Sequence, residues 1–252
     1  MRLGLVRYLN ARPLDYAFQA EPTLYANVNC FPDTPAELVK RLLANDLDAA
    51  LISSVECFRN SNQLDWCKSV GVASDFEVQS LIYFRKKSDS LDEPVSRLYL
   101  DNSSRTTIAL LKLLYSRKFG KLPECVSLPP NQIAEAIDSN SAGLLIGDSA
   151  LHTYHSPNGF HFRDLVNWWN QETNLPFVAA LWAYPKKKKD LFPDEFFNNA
   201  LQIGLSRLDE ILSKNGQQYR HYLTKSLHYW LTEDDRQALK KFSTLLQEQN
   251  LL

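Results

Sequence analysis

What the chain lacks narrows its function before any motif is considered. Lys and Arg number 28 against 29 Asp and Glu, leaving a formal net charge of −1. No charge excess supports a broad basic face for nucleic acid, so an anionic partner must be gripped locally. No run approaches the roughly 20 apolar residues of a membrane span, and no membrane partner is expected. In the opening stretch MRLGLVRYLNARPLDY, Arg7, Asn10 and Arg12 interrupt what an export signal would keep apolar. A cytoplasmic location is therefore expected. The four cysteines, Cys30, Cys57, Cys67 and Cys125, form no C-x-x-C pair, and reduced thiols are the expected state. A G-x-S-x-G elbow, a Walker lysine loop and a G-x-G-x-x-G fingerprint are all missing. Among the five histidines, His152 and His155 have a metal-pair spacing. No carboxylate or cysteine is placed to join them, so they read as surface residues and no metal is expected.

What is present is ordinary globular material: 44% apolar and 23% charged residues, with 13 Phe, 11 Tyr and 5 Trp in 252 residues. That length suits one large domain or two small ones. Met1–Leu9 reads as a strand ending in the polar turn Asn10-Ala11-Arg12-Pro13. Thr34-Pro35-Ala36-Glu37 is a capping box that starts a helix, and Ala49–Ile52 is a short apolar run of the buried-strand type. Further strands are predicted at Lys68–Ala73, Val78–Phe84, Arg97–Leu100, Gly143–Gly147 and Phe177–Ala183. A helix is predicted over Thr106–Phe119, and a helical tail from Phe192 onward with Thr232 as an N-cap. The charged segment Lys86–Glu93 reads as a connection between lobes. This alternation predicts an α/β fold with largely parallel sheets.

Polar residues recur where strands end: Asn10, Ser53-Ser54, the run Ser103, Ser104, Arg105, Thr106 and Thr107, and Gly147-Asp148. In open α/β sheets that edge is where ligands bind. One hydroxyl suffices to cap a helix, so five polar residues in a row suggest a carboxylate or phosphate cradle at a helix N-terminus. Arg105 either forks onto a carboxylate or points to solvent. Asp148 is a base, a hydrogen-bond acceptor or an N-cap. Such a site, rich in hydroxyls and poor in His, Lys and paired acids, suits binding a small anion or orienting a substrate that brings its own reactive groups.

Five stretches in order carry a resemblance: Tyr8-Leu9-Asn10-Ala11-Arg12-Pro13-Leu14, Asp48–Glu56, Ser103–Thr107, Leu144–Asp148 and Leu175-Pro176-Phe177-Val178. From about Leu3 to Tyr184 the chain resembles the chorismate dehydratase family of the futalosine route to menaquinone. The resemblance implies a two-lobed, type II periplasmic-binding-protein-like α/β fold with a ligand cleft between the lobes. It places residues 1–86 plus 180–252 in a discontinuous first lobe and residues 87–179 in the second. It implies a hydro-lyase that takes the dianion chorismate, eliminates water and leaves 3-[(1-carboxyvinyl)oxy]benzoate, with no metal or organic cofactor. The family's functional asparagine and serine match Asn10 and Ser80. Ser53, Ser54, Ser103–Thr107, Gly147 and Asp148 are then the expected substrate anchors. Many relatives carry Gly-Pro-Val-Arg-Ser where this chain has Phe76-Glu77-Val78-Gln79-Ser80. The alternatives are a non-catalytic cytoplasmic binding protein for a small carboxylate and the related dihydroxynaphthoate synthase.

Overall fold

A computed structural model describes residues 1–252 and distributes their strands over two sheets. The first runs β11 (His228–Trp230), β4 (Leu64–Ser74), β10 (Phe177–Pro185), β3 (Ala49–Ser53), β1 (Arg2–Val6), β2 (Asn29–Asp33). The second runs β7 (Glu124–Leu128), β6 (Arg97–Asp101), β8 (Ser141–Ile146), β5 (Leu81–Lys86), β9 (Phe160–Asp164). The chain passes from the first sheet to the second through residues 75–80 and returns through residues 174–176.

Four expectations are corrected. Leu81–Lys86, assigned from sequence to the first lobe, pairs with β8 and β9 in the second sheet. Phe177–Ala179, assigned to the second lobe, belongs to β10 and pairs with β4 in the first. The crossing therefore lies at 75–80 and not at Lys86–Glu93, whose polar residues fold back within the second lobe, where Arg85 donates to the Ser90 carbonyl. The sheets are also mixed and not largely parallel. β1 pairs in parallel with β2 and β3, and β6 with β7 and β8, whereas β5, β10 and β11 pair antiparallel. β5 and β10, the strands that follow the two crossings, enter each sheet from the opposite end.

The helices pack on these sheets: α1 (Arg12–Ala20), α2 (Pro35–Leu43), α3 (Ser54–Arg59), α4 (Arg105–Phe119), α5 (Pro130–Ala136), α6 (Asp148–His155), α7 (Leu165–Thr173), α8 (Asp194–Ser206), α9 (Leu208–Asn215) and α10 (Glu233–Glu248). The predicted N-caps hold: Thr34 accepts from the Glu37 amide, and Thr232 forms a reciprocal capping box with Asp235. α1 crosses α8 so closely that a Cβ on Gly204 would sit 1.9 Å from the Pro13 carbonyl oxygen, which only glycine tolerates. One continuous core of 65 buried residues joins both lobes and the C-terminal helices, including Trp169, Phe177 and Phe242 in mutual edge contacts. The tail is not wholly helical: β11 adds a short strand beside β4, preceded by a π-helical turn at Tyr222–Ser226.

Candidate active site

The carboxyl ends of β1, β3 and β8 and the start of α4 open onto one cleft between the sheets. Its walls are mostly apolar, with Val6, Leu51, Val72 and Ala180 on the first-lobe side and Leu81 and Ile146 on the second. Ala179 also lines it, at a register shift between β10 and β4 that marks a β-bulge. The polar contribution is narrow and specific: Tyr8, Asn10, Ser53, Ser104, Thr107 and Gly147.

Three of these are N-caps. Ser53 caps α3, Ser104 caps α4 and Gly147 caps α6. Pro35, the first residue of α2, also lines the cleft. Four helices thus begin at one cavity, each turning the positive end of its dipole toward it, although Pro35 itself has no N–H to donate. No Lys, Arg or His lines it. Gly147 has φ +66 and ψ −135, outside the backbone range of residues with a Cβ. This explains a glycine at the strand–helix step.

The Ser103–Thr107 run divides by direction. Ser104 and Thr107 face the cleft, with Ser104 Oγ accepting from the Thr107 amide at 3.3 Å and its hydroxyl at 3.0 Å. Ser54, Arg105 and Thr106, expected among the anchors, are committed to the protein instead. Thr106 Oγ1 accepts from the Val55 amide at 3.1 Å and lies 3.3 Å from Ser54 Oγ, which donates to the Val178 carbonyl at 2.9 Å. Arg105 pairs with Glu56 at 3.0 Å. On a helix, consecutive residues face different ways, so a five-residue run cannot present every side chain to one ligand. These contacts latch α3 of the first lobe to α4 of the second. Ser103 lies outside the lining; its amide donates to Asp101 and its carbonyl accepts from the Tyr8 hydroxyl at 3.2 Å.

Asn10 lines the cleft from the single 3-10 turn Leu9–Ala11. Ser80 is buried one layer behind the wall, next to the lining residue Leu81, and its hydroxyl accepts from the Tyr222 hydroxyl at 2.9 Å. The turn that presents Ser80 is held from the second lobe. Asp164 accepts from the Val78 and Gln79 amides at 3.0 and 2.6 Å, and the Gly147 amide donates to the Ser80 carbonyl at 2.7 Å. Gln79 occupies the left-handed region at φ +64. Burial pushes the Asp164 carboxyl up to about 6, against the amide donors of Asn167, Gln79 and Val166.

Asp148 stands exposed in the first turn of α6, outside the lining residues. Surrounding protein raises its carboxyl above the ordinary range, with Arg12 opposing. Arg12 itself turns away from the cleft. It donates to the Val6 carbonyl at 2.6 Å and pairs with buried Asp15 at 3.2 Å. Burial pushes Asp15 up to about 7 despite that pair. The sequence reading missed Tyr8, Asp101, Asp164 and Tyr222. The two acids close strands, a position that signals turn-holding carboxylates; nothing local singles out Tyr222.

The fold is shared widely. A protein from Archaeoglobus fulgidus superposes with a TM-score of 0.75 at 15% identity, over 100% of this chain and 98% of that one. The periplasmic aliphatic sulphonate binding protein of Escherichia coli gives 0.69 at 12%, over 100% and 92%. Sequence relatives are more specific. The chain is 30% identical to the chorismate dehydratase of Thermus thermophilus, over 97% of this chain and 94% of that one. It is 26% identical to the chorismate dehydratase of Campylobacter jejuni over the whole of both. Residues 1–248 match the family described as menaquinone biosynthesis. With a periplasmic-binding-protein-like fold and a cleft ringed by helix N-termini, the chain belongs to the menaquinone-biosynthesis family that includes the chorismate dehydratases.

Proposed function

We propose that this chain is a chorismate dehydratase, a hydro-lyase that converts chorismate to 3-[(1-carboxyvinyl)oxy]benzoate. The observation that carries the reading is the convergence of four helix N-termini on one apolar cleft without a cationic side chain. Amide donors and hydroxyls suit two carboxylates, and apolar walls suit the ring between them. The reaction removes the ring proton beside the ether oxygen and the neighbouring hydroxyl, and aromatisation drives it. The ring carboxylate is conjugated with the carbon that loses the proton. Donors fixed around it stabilise the charge that develops there more than the ground state.

No strong base lines the cleft. The substrate's own enolpyruvyl carboxylate takes the proton, while Asn10 in the lining, backed by Ser80 one layer behind, holds it in reach. Ser53, Ser104, Thr107 and the backbone at Gly147 anchor the carboxylates. Purified protein mixed with chorismate tests the reading. Loss of the cyclohexadiene absorbance with formation of the substituted benzoate is the expected result. Chorismate that binds and persists unchanged would instead make the chain a binding protein.

A further inference from the structure

The Ser80 hydroxyl is held from two directions. Its backbone is fixed from the second lobe by Asp164 and Gly147. Its side chain is fixed from the C-terminal layer by Tyr222, 142 residues away, with both residues almost fully buried. Tyr222 is the donor in this bond at 2.9 Å. The hydrogen of Ser80 is thereby left to point elsewhere. Burial pushes the Tyr222 phenol up, Ser80 and the Asn10 side chain act against that, and the group stays protonated at neutral pH. Tyr222 is thus bonded to Ser80, one of the two matched polar residues. It also opens the π-helical turn Tyr222–Ser226, a local widening often found where a side chain must be aimed.

We propose that Tyr222 is a positioning residue: by donating to Ser80 Oγ it fixes the direction in which the Ser80 hydroxyl points, toward the cleft wall that it backs. The proposal rests on the dehydratase reading above. A donor into Ser80 also polarises that hydroxyl and strengthens its own donation. The C-terminal layer therefore takes part in the chemistry through a single hydrogen bond, while its other side chains pack.

Tyr222→Phe keeps the ring and removes only the hydroxyl. In the full chain, with chorismate as substrate, kcat is expected to fall about 10- to 100-fold, the scale of a misaimed catalytic group. KM should stay within about threefold and thermal unfolding should remain cooperative. The double variant Ser80→Ala/Tyr222→Phe should be no slower than Ser80→Ala alone, because the two hydroxyls act as one unit. Wild-type kcat in Tyr222→Phe, or losses that multiply in the double variant, would overturn the role while leaving the dehydratase reading intact. A wild-type protein that leaves chorismate untouched would overturn both.

Discussion

Two serine-rich steps, one before α3 and one before α4, look alike in sequence and do the same two jobs in space. At the first, Ser53 lines the cleft while Ser54 meets Thr106 of the second lobe. At the second, Ser104 and Thr107 line the cleft while Thr106 accepts from Val55 and touches Ser54. Each cluster thus has one face for a ligand and one for the opposite lobe. The lesson is that hydroxyl enrichment at a strand end marks a junction, and helical geometry decides which members reach the guest. Variants of the two sets should therefore fail differently: cleft-facing ones in kinetics, latch ones in stability.

The largest effect belongs to the cleft. Asn10→Ala should lower kcat on chorismate about 100- to 1000-fold, the range for removing a transition-state donor, with Tm unchanged; steady-state kinetics and thermal denaturation check this together. Asp15 belongs to neither set and sharpens the contrast through pH. Its carboxyl is buried, pushed up to about 7, and has an ion pair with Arg12 but no hydrogen bond of its own. The folded state then binds a proton more tightly than the unfolded chain. This group's contribution to stability accordingly falls as pH rises from about 4 to about 7, by on the order of 4 kcal/mol. Asp15→Asn should be more stable than wild type at pH 8, with the difference vanishing near pH 4 in denaturant titrations at each pH.

The latch comes next. Thr106→Val preserves shape but strips the Val55 amide of its acceptor, so it should cost about 1–3 kcal/mol in chemical denaturation. Its KM should stay close to wild type. Smallest is Ser104→Ala, which removes a cleft hydroxyl and a helix cap. It should raise KM roughly threefold to tenfold, one net hydrogen bond's worth, and lower stability by about 1 kcal/mol. If Thr106→Val changed KM more than Ser104→Ala, the assignment of the two faces would be reversed.

The sequence carried the central strands and lost the edges. β1, β3, β6, β8 and β10 were readable because interior strands are nearly continuous apolar runs, as in AALIS and SAGLLI. The four strands that escaped notice, β2, β7, β9 and β11, are the four sheet edges. Edge strands are half-exposed and polar, and NCFPD even contains a proline. The site was legible in its loops for the same reason: polar residues ending apolar runs stand out. Asn10, Ser53, Ser104, Thr107 and Gly147 were singled out this way, and they line the cleft. The division of Ser103–Thr107 was not, because it depends on which helix α4 meets. Nor was Tyr222, since its link to Ser80 spans the whole second lobe and leaves no local pattern.

The claim on which the account turns is that the cleft orients a substrate carrying its own proton acceptor. Asp148, next to the cleft residue Gly147 and with its carboxyl raised, is the nearest protein rival. Single-turnover conversion of chorismate by Asp148→Asn tests this most directly. Proton transfer to the substrate's own carboxylate predicts a rate within about tenfold of wild type. A loss of 100-fold or more, the size of a missing general base, with substrate binding retained, would contradict it.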